Sequence, residues 1–464
     1  MEVVDFSGKI VGLLGAGRDN LAILPHLRQW GAKRIVILDK VASDKLPADI
    51  ETRSGPDYLN DLAEFDLLLR SPGLPLATVK DAVARSGRSV EISSAIDVFV
   101  HLAIAKKATV IGVTGSKGKG TTATMLGAML TASGRSNEVV GNIGRGVFDI
   151  FGKLHSDQTV VIELSSFQAE DMTASPQLAI ILPIFPEHLA PLSATNPNFH
   201  SDLAAYTAAK SNICRFQTKR DERLDAVIYA ADNIPATEAA KASSAYQVPL
   251  STADSSADSS VDWHLAANGQ VFLDRRMIVD LSSCGLVGAH LRLDGALAAA
   301  AAWRLGLDEE AIIGGLKNWR PLPHRMEQVA VKNGVTFIDD SYATCPEATI
   351  SALTTTDRPI VLIAGGSDKG AEFNQLAEAI QKSSVKAVVT IGSQGPMIAR
   401  ELRQINYSGQ IVTGASTMAE IVAQAKRLAQ ANDLILLSPA AASLDMFRNA
   451  ADRGDQFQAA VADD

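Results

Sequence analysis

The stretch VIGVTGSKGKGTTATML, residues 110–126, constrains the fold more than any other part of the chain. An apolar run ends in glycines and passes straight into a helical pattern, so backbone N–H groups and a helix N-terminus converge on one point. That is the arrangement of a phosphate cradle at the end of a buried strand. The strict spacing G-x-x-x-x-G-K-[S/T] is not met. Val113 stands where its first glycine belongs, and Gly120 stands where a hydroxyl should follow Lys119. The strand, Gly115, the Gly118-Lys119 pair and the Thr121-Thr122 pair still coincide, which favours a phosphate site over a glycine turn that binds nothing. Lys119 sits where a cation neutralises β- and γ-phosphates. Thr121 comes one residue late for the usual metal-bound hydroxyl, but remains in the first helical turn.

The same strand-then-helix rhythm runs through the chain. KIVGLLGAGRDN (9–20) reads as a strand, a glycine turn and a helix start; RIVILD (34–39) and FDLLLRSPGLP (65–75) read as further strands. As a dinucleotide fingerprint GAGRDN is incomplete, because Asn20 replaces the third glycine, so a nicotinamide dehydrogenase is the weakest reading. TVVIELSS (159–166) and LAIILPIF (178–185) follow the phosphate loop. Residues 243–262 turn polar, with STADSSADSSVD as a surface loop or short low-complexity insert, and GALAAAAAWRLG (295–306) is a strong helix former. PIVLIAGG (359–366), AVVTIG (387–392) and LILLSP (434–439) are strands of a last unit. Alternation of this kind implies parallel α/β sheets with ligands at the carboxyl ends of the strands. The expected organisation has three domains: Rossmann-like over 1–105, a central P-loop ATPase-like parallel sheet over 106–321, and Rossmann-like over 322–464.

Composition narrows the function. The formal net charge of −9 disfavours nonspecific nucleic-acid binding, and an anionic substrate must be met by gathered local cations and N–H groups. The acidic start MEVVDF lacks the regions of a signal peptide, no apolar run approaches the roughly 18 residues of a membrane span, and the cysteines at 214, 284 and 345 are scattered. The expectation is a cytoplasmic, monomeric enzyme of small molecules, with no membrane or nucleic-acid partner. Glu163, closing the strand before SSFQAEDM, is a candidate Mg²⁺ ligand, since that ion keeps one or two carboxylates besides phosphate. A solvated glutamate at a strand end is the alternative.

TGSKGKGTT, VVGNIG, IELSSFQ, PEHL, LPHRME, DDSYAT, GGSDKG and LLSPAAASLDMFRNAADRG occur in the order of the Mur ligases, and the chain resembles that family over essentially its whole length. The family's phosphate loop also lacks the distant first glycine, so Val113 is normal there; Gly120 remains a departure. The resemblance implies an ATP-dependent amide ligase of peptidoglycan precursor synthesis, joining D-glutamate to UDP-N-acetylmuramoyl-L-alanine through an acyl phosphate, with two Mg²⁺ ions. Charge building between anions makes such cations the usual solution for phosphoryl transfer. Matched position by position, Ser116, Lys117, Gly118, Lys119, Gly120, Thr121 and Thr122 hold the ATP phosphates, and Thr121 and Glu163 serve a first Mg²⁺. His188 binds the second, supported by Lys210 as a carbamate. His188 read without the family is a structural histidine, and Lys210 a solvated lysine. LSATNPNFHSD (192–202) reads as an insertion between them. Asp39, Ser71, Gly73, Asn142 and Ser165 match positions that bind the nucleotide-sugar. Arg325 and Asp340 match γ-phosphate and ribose contacts, and Asp294 adenine; Thr344, Lys369 and Ser443 match the grip on the glutamate carboxylates.

Besides Gly120, departures from the family fall at four places. His290-Leu291-Arg292-Leu293-Asp294 stands for H-N-x-x-N, Arg18 and Asp19 for small or hydroxyl residues, Tyr342 for a lysine, and Ala450 for a phenylalanine. An L-glutamate-adding variant and a ligase of the folylpolyglutamate synthase kind remain alternatives, although the GAG and SPG turns and the NIG motif speak against the latter. A P-loop switch without ligation would not need the DDSYAT and SPAAAS elements.

Overall fold

Strand-forming apolar runs bounded by glycine turns become three sheets in the computed structural model, which describes residues 5–41, 46–47, 49–142, 144–189, 198–219, 224–252, 263–286, 288–353, 356–368 and 371–463. The described residues form two compact units, one through Trp319 and one from Arg320 onward. The fold is α/β, as expected.

In the first unit, one sheet orders its strands Glu51–Ser54, Arg34–Asp39, Ile10–Leu14, Leu67–Arg70 and Glu91–Ser93, all parallel. The second sheet is larger. Parallel strands run in the order Asn137–Gly141, Thr159–Glu163, Thr109–Thr114, Leu178–Ile181, Ala226–Ala230, Tyr246–Ser251 and Trp263–Leu265, and an antiparallel pair, Gln270–Leu273 and Arg276–Asp280, closes that edge. The strand leading into the phosphate loop therefore has a later strand on each side. Its carboxyl end lies between those of two later strands, and sheets of this kind bind ligands at strand carboxyl ends.

The helix Lys119–Ala132 packs between the sheet and the helices Ala289–Arg304 and Glu309–Asn318. Close packing explains the alanine run: Ala296 through Ala302 are all buried, and small side chains let helix axes approach. A Cβ on Gly315 would lie 2.4 Å from the Met129 Cα. The polar stretch 243–262 is corrected in part. Tyr246–Ser251 is a strand paired in parallel with Ala226–Ala230, and residues 253–262 lie outside the described residues.

In the second unit the order is Glu327–Lys332, Val335–Asp339, Leu434–Leu437, Ile360–Gly365, Val385–Ile391 and Gln410–Val412, parallel except for the first pair. Apolar residues fill both faces of this sheet. Among the described residues, no helix is long and apolar enough to cross a membrane.

Candidate active site

The phosphate loop begins where Thr114 ends its strand and finishes at Gly118, which caps the following helix in the left-handed conformation (φ 83°). Glycine is required there twice over. A side chain would be strained at that φ, and its Cβ would fall 2.2 Å from Oδ1 of Asp294. Ser116 ties the loop to the next strand's exit: its N–H donates to the Pro183 carbonyl at 3.0 Å, and its hydroxyl receives the Phe185 N–H at 2.9 Å. The Lys119 ammonium lies over the loop, donating to the carbonyls of Gly115 (3.0 Å) and Ser116 (2.8 Å). Lys117 pairs with Glu187 at 2.7 Å. The Thr122 hydroxyl is buried with no hydrogen-bond partner, while Thr121 is half-buried at the helix start and Gly120 follows Lys119 with no side chain to offer.

Two residues four apart on the helix Leu203–Arg215 reach the same loop from the other side, as the helical repeat dictates. The Tyr206 hydroxyl lies 3.2 Å from Ser116 Oγ and 3.3 Å from Glu187 Oε2. Lys210 is 1% exposed; its Nζ donates to the Gly115 carbonyl at 2.8 Å and sits 4.5 Å above the Tyr206 ring. Burial first, and the nearby Lys119 charge second, hold the Lys210 ammonium well below its ordinary value. Lys210 is thus no solvated surface lysine.

Parallel register places Glu163 opposite Val113, one strand over from the loop. Glu163 is 4% exposed. Asn142 Nδ2 donates to its Oε1 at 3.1 Å, and its Oε2 is buried without a hydrogen-bond partner. His188 has a left-handed backbone (φ 57°), and its ring packs against Phe167 and Tyr206; Nδ1 is likewise buried without a hydrogen-bond partner. Burial, helped by Lys119, Lys210 and Lys117 and opposed by Glu187, lowers the His188 pKa and leaves a neutral imidazole. A buried carboxylate oxygen and an imidazole nitrogen without partners are costly on their own, and their donor set suits a divalent cation.

Asp294 packs directly against the loop at Gly118, and burial pushes it up to about 8 although Lys119 pulls the other way. The sign of its pH effect follows from the unfolded chain losing its proton first, near 3.8. Stability falls as pH rises from that value towards about 8. Asp294→Asn keeps the shape without the charge. Its melting-temperature gain over the parent, without nucleotide, is expected to grow between pH 5 and pH 8.5 to about 3 °C or more. A gain independent of pH would contradict this account.

At the first sheet, Asp39 receives the N–H groups of Ala16 (2.8 Å) and Val41 (3.0 Å), so it holds the GAG turn in shape. Ser71 joins that turn to the SPG turn, donating to the Gly15 carbonyl at 3.2 Å and receiving Asn20 Nδ2 at 3.1 Å. Gly73 is exposed in the SPG turn. Ser165 caps the helix Ser166–Ala169 in a reciprocal box with Gln168. In the second unit, Asp340 is buried between Ser438 Oγ (2.8 Å) and the Met326 N–H (3.3 Å), and burial raises it to about 7. The Arg325 guanidinium lies 5.3 Å over the Tyr342 ring. Thr344 is exposed on the same turn, Ser443 is buried, and Lys369 falls outside the described residues.

Comparison with known proteins decides the lineage. Residues 113–302 match the Mur ligase middle domain, and residues 324–441 match the Mur ligase glutamate ligase domain. A UDP-N-acetylmuramoylalanine--D-glutamate ligase of Symbiobacterium thermophilum is 34% identical over 97% of both chains. The chain belongs to the Mur ligases. Another relative with the same name, from Leuconostoc citreum, is 33% identical over 98% of each chain. Among solved structures, a UDP-N-acetylmuramate-alanine ligase of Thermotoga maritima superposes with TM-score 0.55 at 18% identity, covering 98% of this chain and 99% of its own. A MurF ligase of the same organism, in complex with ADP, gives 0.54 at 17%, covering 98% and 96%. At such identities the likeness is one of fold.

Sequence reasoning passed over several residues that shape this Mur ligase. Tyr206 and Glu187 brace the phosphate loop; the i, i+4 spacing of Tyr206 to Lys210 was the available signal. Arg70, fully buried, donates to Asp171 Oδ2 (2.7 Å) and to the carbonyls of Leu74 and Phe167, joining the first sheet to the second. Arg453, also buried, donates to Ser341 Oγ (2.9 Å) and to the carbonyls of Ser341 (2.7 Å) and Ala441 (3.1 Å), so one guanidinium braces the DDSYAT and SPAAAS turns. His324 and Asp339 pair at 2.7 Å behind Tyr342. A Cβ on Gly454 would strike the His324 ring, which explains the final glycine of ADRG.

Proposed function

We propose that this Mur ligase joins D-glutamate to the alanine of UDP-N-acetylmuramoyl-L-alanine, at the expense of ATP. The γ-phosphoryl group passes to the alanine carboxylate, giving an acyl phosphate and ADP; the glutamate amine then attacks the acyl carbon, and phosphate and a proton leave. One observation carries the reading. A phosphate loop, a buried carboxylate oxygen and imidazole nitrogen without hydrogen-bond partners, and a buried lysine whose charge burial disfavours gather around the carboxyl end of the strand Thr109–Thr114. Residues 116–122 would hold the phosphates, with Thr121 and Glu163 serving one Mg²⁺, and His188 and a carbamylated Lys210 the other. Bound Mg²⁺ would offset the charge that builds as anions approach. A neutral amine is the form that adds CO₂, releasing one proton and becoming an anion.

The relatives named as D-glutamate ligases support the acceptor and the amino acid. Residues 1–105 take the nucleotide-sugar through Asp39, Ser71 and Gly73, with Asn142 and Ser165 from the middle of the chain. Residues 106–321 take ATP, with Asp294 at the adenine. Within residues 322–464, the roles proposed by family match are nucleotide contact for Arg325 and Asp340 and glutamate contact for Thr344, Lys369 and Ser443. Two carboxylates need fixed partners, since unpaired ones are costly to desolvate. Tyr342 gives a hydrogen bond but no charge where the family has a lysine, so weaker glutamate affinity is expected than in lysine-bearing members.

Phosphate release with UDP-N-acetylmuramoyl-L-alanine and a panel of amino acids tests the assignment. D-glutamate is expected to give the fastest release and a glutamyl product. Faster turnover with L-glutamate at matched concentration would overturn the stereochemical claim, and ATP hydrolysis without any amino-acid dependence would overturn ligation.

A further inference from the structure

Arg18 is the first residue of the helix Arg18–Gln29 that follows the GAG turn. Its guanidinium leaves the first sheet altogether: Nη1 donates to the Gly144 carbonyl at 3.0 Å and Nη2 to the Gly141 carbonyl. Those carbonyls belong to the loop after the strand Asn137–Gly141, closed by the Gly141 N–H on the Arg145 carbonyl at 3.0 Å. That loop is also knitted to Glu163. The Asn142 N–H donates to the Glu163 carbonyl at 3.0 Å, its side-chain amide to Glu163 Oε1, and a Cβ on Gly141 would fall 2.4 Å from the same carbonyl. Glu163 Oε2 is left as the oxygen without a hydrogen-bond partner.

We propose that Arg18 is a positioning residue for the metal carboxylate. By clamping two carbonyls of the 141–145 loop it fixes Asn142, and Asn142 fixes Glu163 with Oε2 presented as a ligand. This rests on the reading of Glu163 as a Mg²⁺ ligand. A residue that orients a metal ligand through one intermediary contributes to affinity without touching the ion. Arginine suits the task because its rigid planar fork holds two acceptors in one fixed geometry, whereas a lysine ammonium sits on a flexible stem. Asp19 steadies the fork, 3.5 Å from Nε. The far end of the helix is secured independently: His26 and Trp30 pack on Phe151 at 5.3 and 5.5 Å between ring centres. Loss of the half-exposed Arg18 side chain therefore releases the loop without unpacking the helix.

The test is Mn²⁺ binding to the ADP-saturated protein, read by electron paramagnetic resonance. Asn142→Ala is expected to weaken Mn²⁺ binding about tenfold and Arg18→Ala about fivefold, with Arg18→Lys between Arg18→Ala and the parent. The double variant should lose no more than Asn142→Ala alone, because the two act in series. Unchanged melting temperatures confirm that only the loop is released. If Glu163→Gln weakens Mn²⁺ but Arg18→Ala does not, or if the two losses multiply, the proposal for Arg18 falls alone. If Glu163→Gln leaves Mn²⁺ affinity unchanged, the metal reading falls with it.

Discussion

Lys119→Ala is expected to lower ligation at least about a hundredfold, some 3 kcal/mol in the barrier, the scale on which single preorganised charge donors act. The helix Lys119–Ala132 presents its N-terminus to the loop, but backbone N–H groups carry only partial charges, and the described loop has Lys117 engaged with Glu187. Lys119 is the cation that can swing from the Gly115 and Ser116 carbonyls onto a phosphate. The fold should survive the change. The Gly115 carbonyl keeps the Lys210 ammonium as a donor, and the left-handed Gly118 turn is set by glycine and by Asp294. Circular dichroism should match the parent while phosphate release collapses. A variant retaining more than about a tenth of parental turnover would reject the phosphate-loop assignment.

How much of this was readable beforehand depended on whether a residue's role is local. The strand before residue 115, the helix after it and the positions of Glu163 and Lys119 follow from a period and a turn, and they appear in the structure where the pattern put them. The parallel order, with later strands on both sides of Thr109–Thr114, brings Glu163 beside Val113; no local pattern contains that register. The strands of the 226–280 region were missed because short or polar segments such as YQVPLS carry little alternation, and pairing with a neighbour supplies what propensity lacks. Arg70 and Arg453 look like surface arginines in sequence. Only tertiary packing shows that each guanidinium donates to a turn about a hundred residues away, Arg70 to the Phe167 carbonyl and Arg453 to the Ser341 carbonyl. Asn20, an apparent defect in a dinucleotide fingerprint, donates to Ser71 and to the carbonyls of Gly15 and Leu69, so it replaces a glycine's close approach with a clasp between turns.

Lys210→Ala is expected to remove most activity, a loss of two orders of magnitude or more, roughly 3 kcal/mol, and short carboxylates such as acetate are expected to restore part of it. The argument is one of shape and charge together. Lys210 is sealed under the loop with its Nζ on the Gly115 carbonyl and over the Tyr206 ring, so alanine leaves a slot open towards the loop rather than a surface gap. Burial penalises the charged amine, and the proposed addition of CO₂ would convert it into an anion beside Lys119. A soluble carboxylate that enters the slot supplies the same charge at the same place. Stability should move the other way. A lysine held below its ordinary value binds fewer protons when folded than when unfolded, so it destabilises the fold at low pH, and the penalty fades as pH rises towards 10.5. Lys210→Met, close in volume and without charge, should therefore melt higher than the parent at pH 6 while remaining inactive. Full activity in Lys210→Ala would make the residue structural. Inactivity of Lys210→Ala at every carboxylate tested, with the rise in stability of Lys210→Met still present, would keep the buried amine but remove the anion from its role.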